Sequence, residues 1–257
     1  MKPDQACKVE KLEVEIYRDR PAMGRAAAKA AGAKIRELLD QQEFVNVAFA
    51  AAPSQNEFLE ALIAEPNIDW QKVRAFHLDE YLGLASDAPQ RFAVFLDDHI
   101  FSKVDFKEIH YLKGDAPSPE EEAKRYAELL KKYPLDIAFI GIGENGHIAF
   151  NDPPVADFED PSLVKIVTLD EKCRQQQVND GCFPSIDKVP KKALTLTIPA
   201  VMSARWIYCM VPGKTKQDAV KETIEGEIGT HCPATVLRRH DAAILYLDQD
   251  AATLLTS

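Results

Sequence analysis

The chain is punctuated by short, strongly apolar runs with helical patterns between them, and this alternation limits the folds open to it. The runs are Leu12–Tyr17, Phe44–Ala50, Val73–Leu78, Leu135–Ile140, Val164–Leu169, Ala193–Ile198, Trp206–Val211 and Ala243–Leu247. Several are apolar nearly throughout, as strands covered on both faces are. Between them, Ala22–Leu39 is alanine-rich with apolar residues at helical spacing. Pro119–Tyr133 opens on three glutamates and closes on two lysines, which matches the helix dipole, and Lys214–Ile224 is amphipathic. Strand–helix alternation of this kind predicts an α/β fold: an open, mostly parallel, Rossmann-like sheet with helices on both faces. No Gly/Ser-rich linker, low-complexity stretch or internal repeat divides the 257 residues, so a single domain over 1–257 is expected. Ligands in such sheets collect beyond the carboxyl ends of the strands. The segments that follow the strands are therefore where chemistry is sought.

Charge and cysteine usage narrow the function classes. Thirty-one Lys and Arg against 41 Asp and Glu leave a net charge of −10. That balance argues against a nucleic-acid partner, whose backbone demands cationic side chains. It leaves room for a local basic site that takes a small anion. The five cysteines (Cys7, Cys173, Cys182, Cys209 and Cys232) include no C-x-x-C pair. Free thiols in a reducing compartment are expected, with no metal site. The first twenty residues are too charged for a signal peptide, and the longest apolar runs, around Val47–Ala52 and Ile137–Ile142, fall far short of a membrane helix. The expectation is a cytoplasmic protein without a membrane partner.

Four segments carry residues suited to chemistry. In AAPSQNEFLEAL, after Phe44–Ala50, Ser54 and Glu57 have capping-box spacing. The helix N-terminus this implies is either an anion site or simply a well-capped helix. In RAFHLDEYLGL, residues 74–84, Asp79 and Glu80 follow a buried strand; adjacent side chains there point apart, so one should face a pocket and the other be structural. In DIAFIGIGENGHIAFNDPP, residues 136–154, a strand runs into Gly141, Gly143 and Gly146 and then presents His147, Asn151 and Asp152. A histidine delivered there, flanked by Asn145 and Asp152, suits a proton shuttle with orienting partners. The G-I-G-E-N-G run lacks the following helix and ribose-binding acid of a dinucleotide fingerprint. In CMVPGKTKQDAVKETIEG, Lys214 and Lys216 stand near a helix N-terminus, against the dipole; an anion between them would explain it. Residues two apart face different sides of a helix, so one lysine should serve and the other be solvated.

Taken together, FHLDEYLGL, GIGENGHIAFNDP, VPKKALTLTIPAVM, VPGKTKQDAVKETIEG and PATVLRRH, in that order, resemble the glucosamine-6-phosphate deaminase/isomerase family over roughly residues 44–247. The related 6-phosphogluconolactonases share the G-H but usually continue without A-F-N. The resemblance implies an enzyme with no cofactor whose partner is a small phosphosugar. Its expected reaction is aldose–ketose isomerisation coupled to deamination, glucosamine 6-phosphate and water giving fructose 6-phosphate and ammonia. It implies that Asp79 is the base moving a proton between C2 and C1, that His147 assists ring opening, and that Asn145 and Asp152 hold that histidine. It further implies that Lys216 binds the phosphate, that Ser54 and Gln55 lie in the loop that cradles it, and that Gly146 contacts the substrate.

Three departures stand out. Where the family carries a glycine-rich phosphate loop, this chain has Ala51-Ala52-Pro53-Ser54-Gln55. Its N-S-R-F segment is replaced by Val178-Asn179-Asp180-Gly181-Cys182-Phe183, which removes an arginine and adds a carboxylate. Asp152 stands in place of a glutamate. A weakened hold on phosphate is expected. Lactone hydrolysis with His147 activating water, and a non-catalytic sugar-phosphate-sensing module, are the alternatives. A homo-oligomer is allowed for, though no residue fixes the oligomeric state.

Overall fold

The computed structural model describes residues 2–256. The chain begins with β1 (Gln5–Val9), β2 (Leu12–Tyr17), α1 (Arg20–Leu39), β3 (Val45–Phe49), α2 (Asn56–Ile63) and β4 (Val73–His77). It continues through β5 (Asp79–Tyr81), α3 (Phe92–Leu96), β6 (Glu108–His110), α4 (Pro119–Lys132), β7 (Ile137–Ile140) and β8 (Val164–Thr168). The last elements are α5 (Glu171–Asn179), β9 (Lys192–Leu196), α6 (Ile198–Met202), β10 (Trp206–Val211), α7 (Gln217–Glu225) and β11 (Ala243–Asp248).

Eight strands form one sheet in the order β1-β2-β11-β10-β7-β3-β4-β6. Every pairing from β2 to β6 is parallel, and only the outer β1 runs antiparallel to its neighbour. Side chains alternate between two apolar layers. On β3, Val45, Val47 and Phe49 join the layer built with Met23 and Ile35 of α1 and Phe58 of α2. Ala48 points the other way, into the layer of Tyr126 from α4, Val201 from α6 and Val220 from α7. Period-two alternation with both faces apolar is why these strands read as unbroken apolar runs. The expected open, mostly parallel sheet with helices on both faces is therefore present. Residues 164–169 and 193–198 are strands too, but they pair antiparallel in a separate sheet, β5-β9-β8.

Two local expectations are corrected. Ser54 and Glu57 do not form a capping box: Pro53–Gln55 is a 3-10 turn, and Gln55 takes the cap position of α2 without a side-chain bond. Glu57 is instead held by Arg20, at 2.9 Å from both Nε and Nη2. A charge-assisted fork outcompetes a neutral capping bond. Similarly, Lys214–Lys216 is a 3-10 turn, and α7 begins only at Gln217.

Strand order places the site. From β3 the chain moves to β4 and β6 on one side, whereas from β7 it moves to β10 on the other. The order reverses between β3 and β7, and the loops leaving these two strands frame a crevice.

Candidate active site

That crevice is a cavity of about 330 Å³. Its walls are Ala50–Ser54 after β3, Asp79 after β4, Gly141–Gly143 and His147 after β7, and Pro212–Lys216 after β10. Gln176, Gln177 and Asp180 enter from α5 and its end, Phe92 from α3, and Arg20 from the start of α1.

Asp79 starts β5, opposite Thr195 of β9, and is 7% exposed. Glu80 turns away and is fully buried. Its carboxylate accepts bonds from the backbone N–H groups of Tyr81 (2.9 Å), Phe92 (3.1 Å) and Ala93 (3.0 Å), with Arg91 Nε at 3.5 Å. It thereby caps α3, which positions the cavity wall residue Phe92. One carboxylate faces the pocket and its neighbour is structural, as the pleat demands. Burial pushes the Asp79 carboxyl well above its ordinary value, and the negative charges of Glu80 and Asp152 push it further.

His147 is oriented from within its own loop. Its Nδ1 lies 2.6 Å from Asn145 Oδ1 and 3.0 Å from Asp152 Oδ1. The amide of Asn145 is oriented by two contacts: Oδ1 accepts the His147 backbone N–H (3.2 Å), and Nδ2 donates to Asp152 Oδ1 (3.1 Å). With oxygens on both sides of Nδ1, the neutral ring carries its proton there and leaves Nε2 as the acceptor. Asp152 is fully buried, and its other oxygen accepts the Asp170 N–H at 3.0 Å. Burial opposes its charge, yet the bonds from His147, Asp170 and Asn145 outweigh burial and hold the carboxyl below its ordinary value. Gly143 is required by this arrangement: a Cβ there would lie 2.1 Å from His147 Cε1. Ala149, in the cavity wall, has φ of +49°, a left-handed conformation that a non-glycine residue adopts only under tertiary constraint.

Of the two lysines, Lys216 is buried and Lys214 exposed, although both border the cavity. Burial lowers the Lys216 pKa, while Asp180 and Glu144 support its charge. Ser54 borders the cavity. Gln55 and Gly146 do not. Gln55 is buried beneath the loop with Nε2 on Ser54 Oγ (3.0 Å), and Gly146 turns at φ +81° against Cys232. Asn151 is likewise structural, donating to Leu196 O (2.8 Å) and Ile148 O (3.0 Å). His147, Asp152 and Cys173 bring ligating atoms within 4.8 Å of one another, the arrangement that could hold a metal ion among the described residues. The same imidazole and carboxylate already bond each other, and burial, with the adjacent Asp152 charge, keeps the Cys173 thiol protonated by pushing it well above its ordinary value.

Sequence reasoning did not find Arg20, Phe92, Gln176, Gln177 or Cys173. Gln176 locks the loop, accepting Glu144 N–H at 2.9 Å and donating to Asp180 Oδ2 at 3.3 Å. The run of three glutamines in α5 was the available signal.

The family model for glucosamine-6-phosphate isomerases/6-phosphogluconolactonase matches residues 18–246. The chain belongs to this family. Among its relatives is a glucosamine-6-phosphate deaminase of Listeria innocua, 38% identical over 211 residues, 82% of this chain and 88% of the relative. Glucosamine-6-phosphate deaminase 1 of Bacillus subtilis is 39% identical over 191 residues, 73% of this chain and 77% of the relative. A solved monomeric glucosamine-6-phosphate deaminase superposes with TM-score 0.87 at 32% identity, covering 94% of this chain and 99% of its own. The 6-phosphogluconolactonase of Thermotoga maritima shares the fold, at TM-score 0.76 and 18% identity over 93% of this chain and 100% of its own. Within this family fold, the cavity at the strand-order reversal brings Asp79, His147 and Lys216 to one site. Among the described residues, no helix is long and apolar enough to cross a membrane, and all five cysteines are free.

Proposed function

We propose that the chain is an isomerising deaminase of an amino-sugar phosphate, with glucosamine 6-phosphate as substrate and fructose 6-phosphate and ammonia as products. One observation carries the reading: a carboxylate of raised proton affinity, Asp79, and an imidazole anchored through Nδ1, His147, border the same cavity. His147 Nε2 takes the proton of the C1 hydroxyl and returns it to the ring oxygen, opening the pyranose. Asp79 then removes the C2 proton; that electron pair forms the C1–C2 double bond while the C1=O π pair moves onto O1, which takes a proton from water. The carboxylic acid so formed delivers its proton to C1 as the nitrogen lone pair closes the C2=N bond. The nitrogen is left as an imine at C2, which water hydrolyses to the ketose and ammonia. A carboxylate with raised pKa is better matched to a carbon acid than an ordinary one is. Positioned groups of this kind contribute about 10²–10⁴-fold each. The reaction runs through side chains, with Asn145 and Asp152 keeping the His147 tautomer fixed.

Lactone hydrolysis on the same fold needs a water activated by His147 but no carbon base, so Asp79 would have no part in it. Coupled detection of ammonia from glucosamine 6-phosphate, run beside hydrolysis of 6-phosphogluconolactone, separates the two. Ammonia release without lactonase activity is the expected result; lactonase activity alone would overturn the reading.

A further inference from the structure

We propose that Arg20 is an anion-binding residue of this cavity, its Nη1 edge completing, with Lys216 and Ser54, the subsite for the substrate's phosphate. The inference rests on the amino-sugar phosphate reading and assigns a residue to it from a different element, the first turn of α1.

The guanidinium is fixed by three of its five donors. Nε bonds Glu57 Oε1 at 2.9 Å, and Nη2 bonds both Glu57 Oε2 (2.9 Å) and Pro53 O (2.8 Å). Both N–H groups of Nη1 have no partner among the described residues. Arg20 nevertheless borders the cavity beside Pro53 and Ser54, and its side chain is 38% exposed. A guanidinium locked along one edge and open at Nη1 presents the two N–H groups of one nitrogen at a fixed place, where they can donate charge-assisted bonds to phosphate oxygens. Close packing of α1 on α2 makes this reach available. A Cβ on Gly24, one turn after Arg20, would lie 2.7 Å from the Glu57 carbonyl carbon.

Charge at this end of the cavity gives Arg20 its importance. The loop after β3 has no glycine, and Asp180 adds a carboxylate to the wall. Lys216 is disfavoured as a cation by its own burial. The arginine stays charged whatever its surroundings, and its pairing with Glu57 orients it without occupying Nη1.

The test measures inorganic phosphate binding by calorimetry, and KM for glucosamine 6-phosphate and for unphosphorylated glucosamine. It compares wild type with Arg20→Gln, Arg20→Lys and Arg25→Gln, the last on the same helix but in a separate groove. Losing a charge-assisted contact corresponds to about ten- to a hundred-fold in affinity. Arg20→Gln should weaken phosphate and raise KM for the phosphorylated sugar by that factor, with kcat/KM for glucosamine changed far less. Arg20→Lys should not restore it, because an ammonium cannot hold the Glu57 fork and face the cavity together. Arg25→Gln should match wild type. Equal losses on both sugars would mean that Arg20 only holds the Pro53 loop, and unchanged phosphate binding in Arg20→Gln would also overturn the proposal while leaving the substrate reading intact. A wild type that binds no phosphate and does not prefer the phosphorylated sugar would overturn both.

Discussion

Replacing Asp79 with asparagine should separate catalysis from stability in opposite directions. The amide has the same shape, so ligand binding should persist, but it cannot take the C2 proton. Loss of the base should cut kcat by about 10²–10⁴-fold. Stability should move the other way. Asp79 is almost fully buried and faces the negative charges of Glu80 and Asp152, so its folded pKa lies well above the ordinary value of 3.8. A carboxyl whose folded pKa is raised favours the folded state in acid and opposes it once pH climbs through the raised value. The variant carries no such charge. Relieving this kind of active-site strain is worth on the order of 0.5–2 kcal/mol, or roughly 1–8 °C in Tm for a chain of this size. Differential scanning calorimetry at mildly alkaline pH should show the gain, and the gain should shrink as pH falls through the raised pKa. The same buried carboxyl should place the acid limb of the wild-type kcat profile above the range of an exposed aspartate. A variant less stable than wild type at alkaline pH would refute the account of Asp79 as a strained, desolvated base. Retention of more than a few per cent of kcat would refute its role as the base.

Three further outcomes follow from the same contacts. Asp152→Asn offers one acceptor oxygen where Asn145, His147 and Asp170 converge as donors; kcat should fall about ten- to a hundred-fold with little change in KM, and ¹⁵N NMR should show the His147 proton no longer held at Nδ1. Because the Asp152 carboxyl is held below its ordinary value, its stabilisation is present above that value and is lost in strong acid, so the stability gap between wild type and variant should close there. Lys216→Met should raise KM for glucosamine 6-phosphate by about ten- to a hundred-fold, whereas Lys214→Met, at the exposed position, should change it within about threefold. Glu80→Gln turns one acceptor of the α3 cap into a donor facing backbone N–H groups; urea titration should show a loss of about 3 kcal/mol, and calorimetry a fall in Tm of roughly 6–12 °C.

How far the fold was legible tracks how each strand is covered. Leu12–Tyr17 and Trp206–Val211 have the same bounds in sequence and structure: Trp206–Val211 meets apolar layers on both faces, and Leu12–Tyr17 alternates buried Leu12, Val14 and Ile16 with Glu13 and Glu15 on its outer face. Gln5–Val9 was missed: it is an edge strand with exposed side chains, so no apolar run marks it. Glu108–His110 pairs only with β4, is half-buried and has three residues, too few to show a period. Asp79–Tyr81 was missed as a strand because it follows β4 after one residue, and only its change of partner, from β3 to β9, divides the two.

The two ends of the cavity differ in the same way, and the cause is sequence distance. Asn145, His147 and Asp152 lie within one turn-rich loop, so a local motif holds the whole orienting device for the imidazole. The anion end is assembled from Arg20, Ser54, Asp180 and Lys216, which four separate segments deliver to one wall. No window of sequence contains any two of them. Local spacing even misleads there: Ser54 and Glu57 have the separation of a capping pair, but Glu57 faces an arginine 37 residues away that no local pattern announces. An ion pair made by helix packing prevails over a local bond of about 1 kcal/mol. The consequence is chemical as well as structural. Arg20 holds Glu57 away from the α2 N-terminus and leaves its own Nη1 edge open at the same loop.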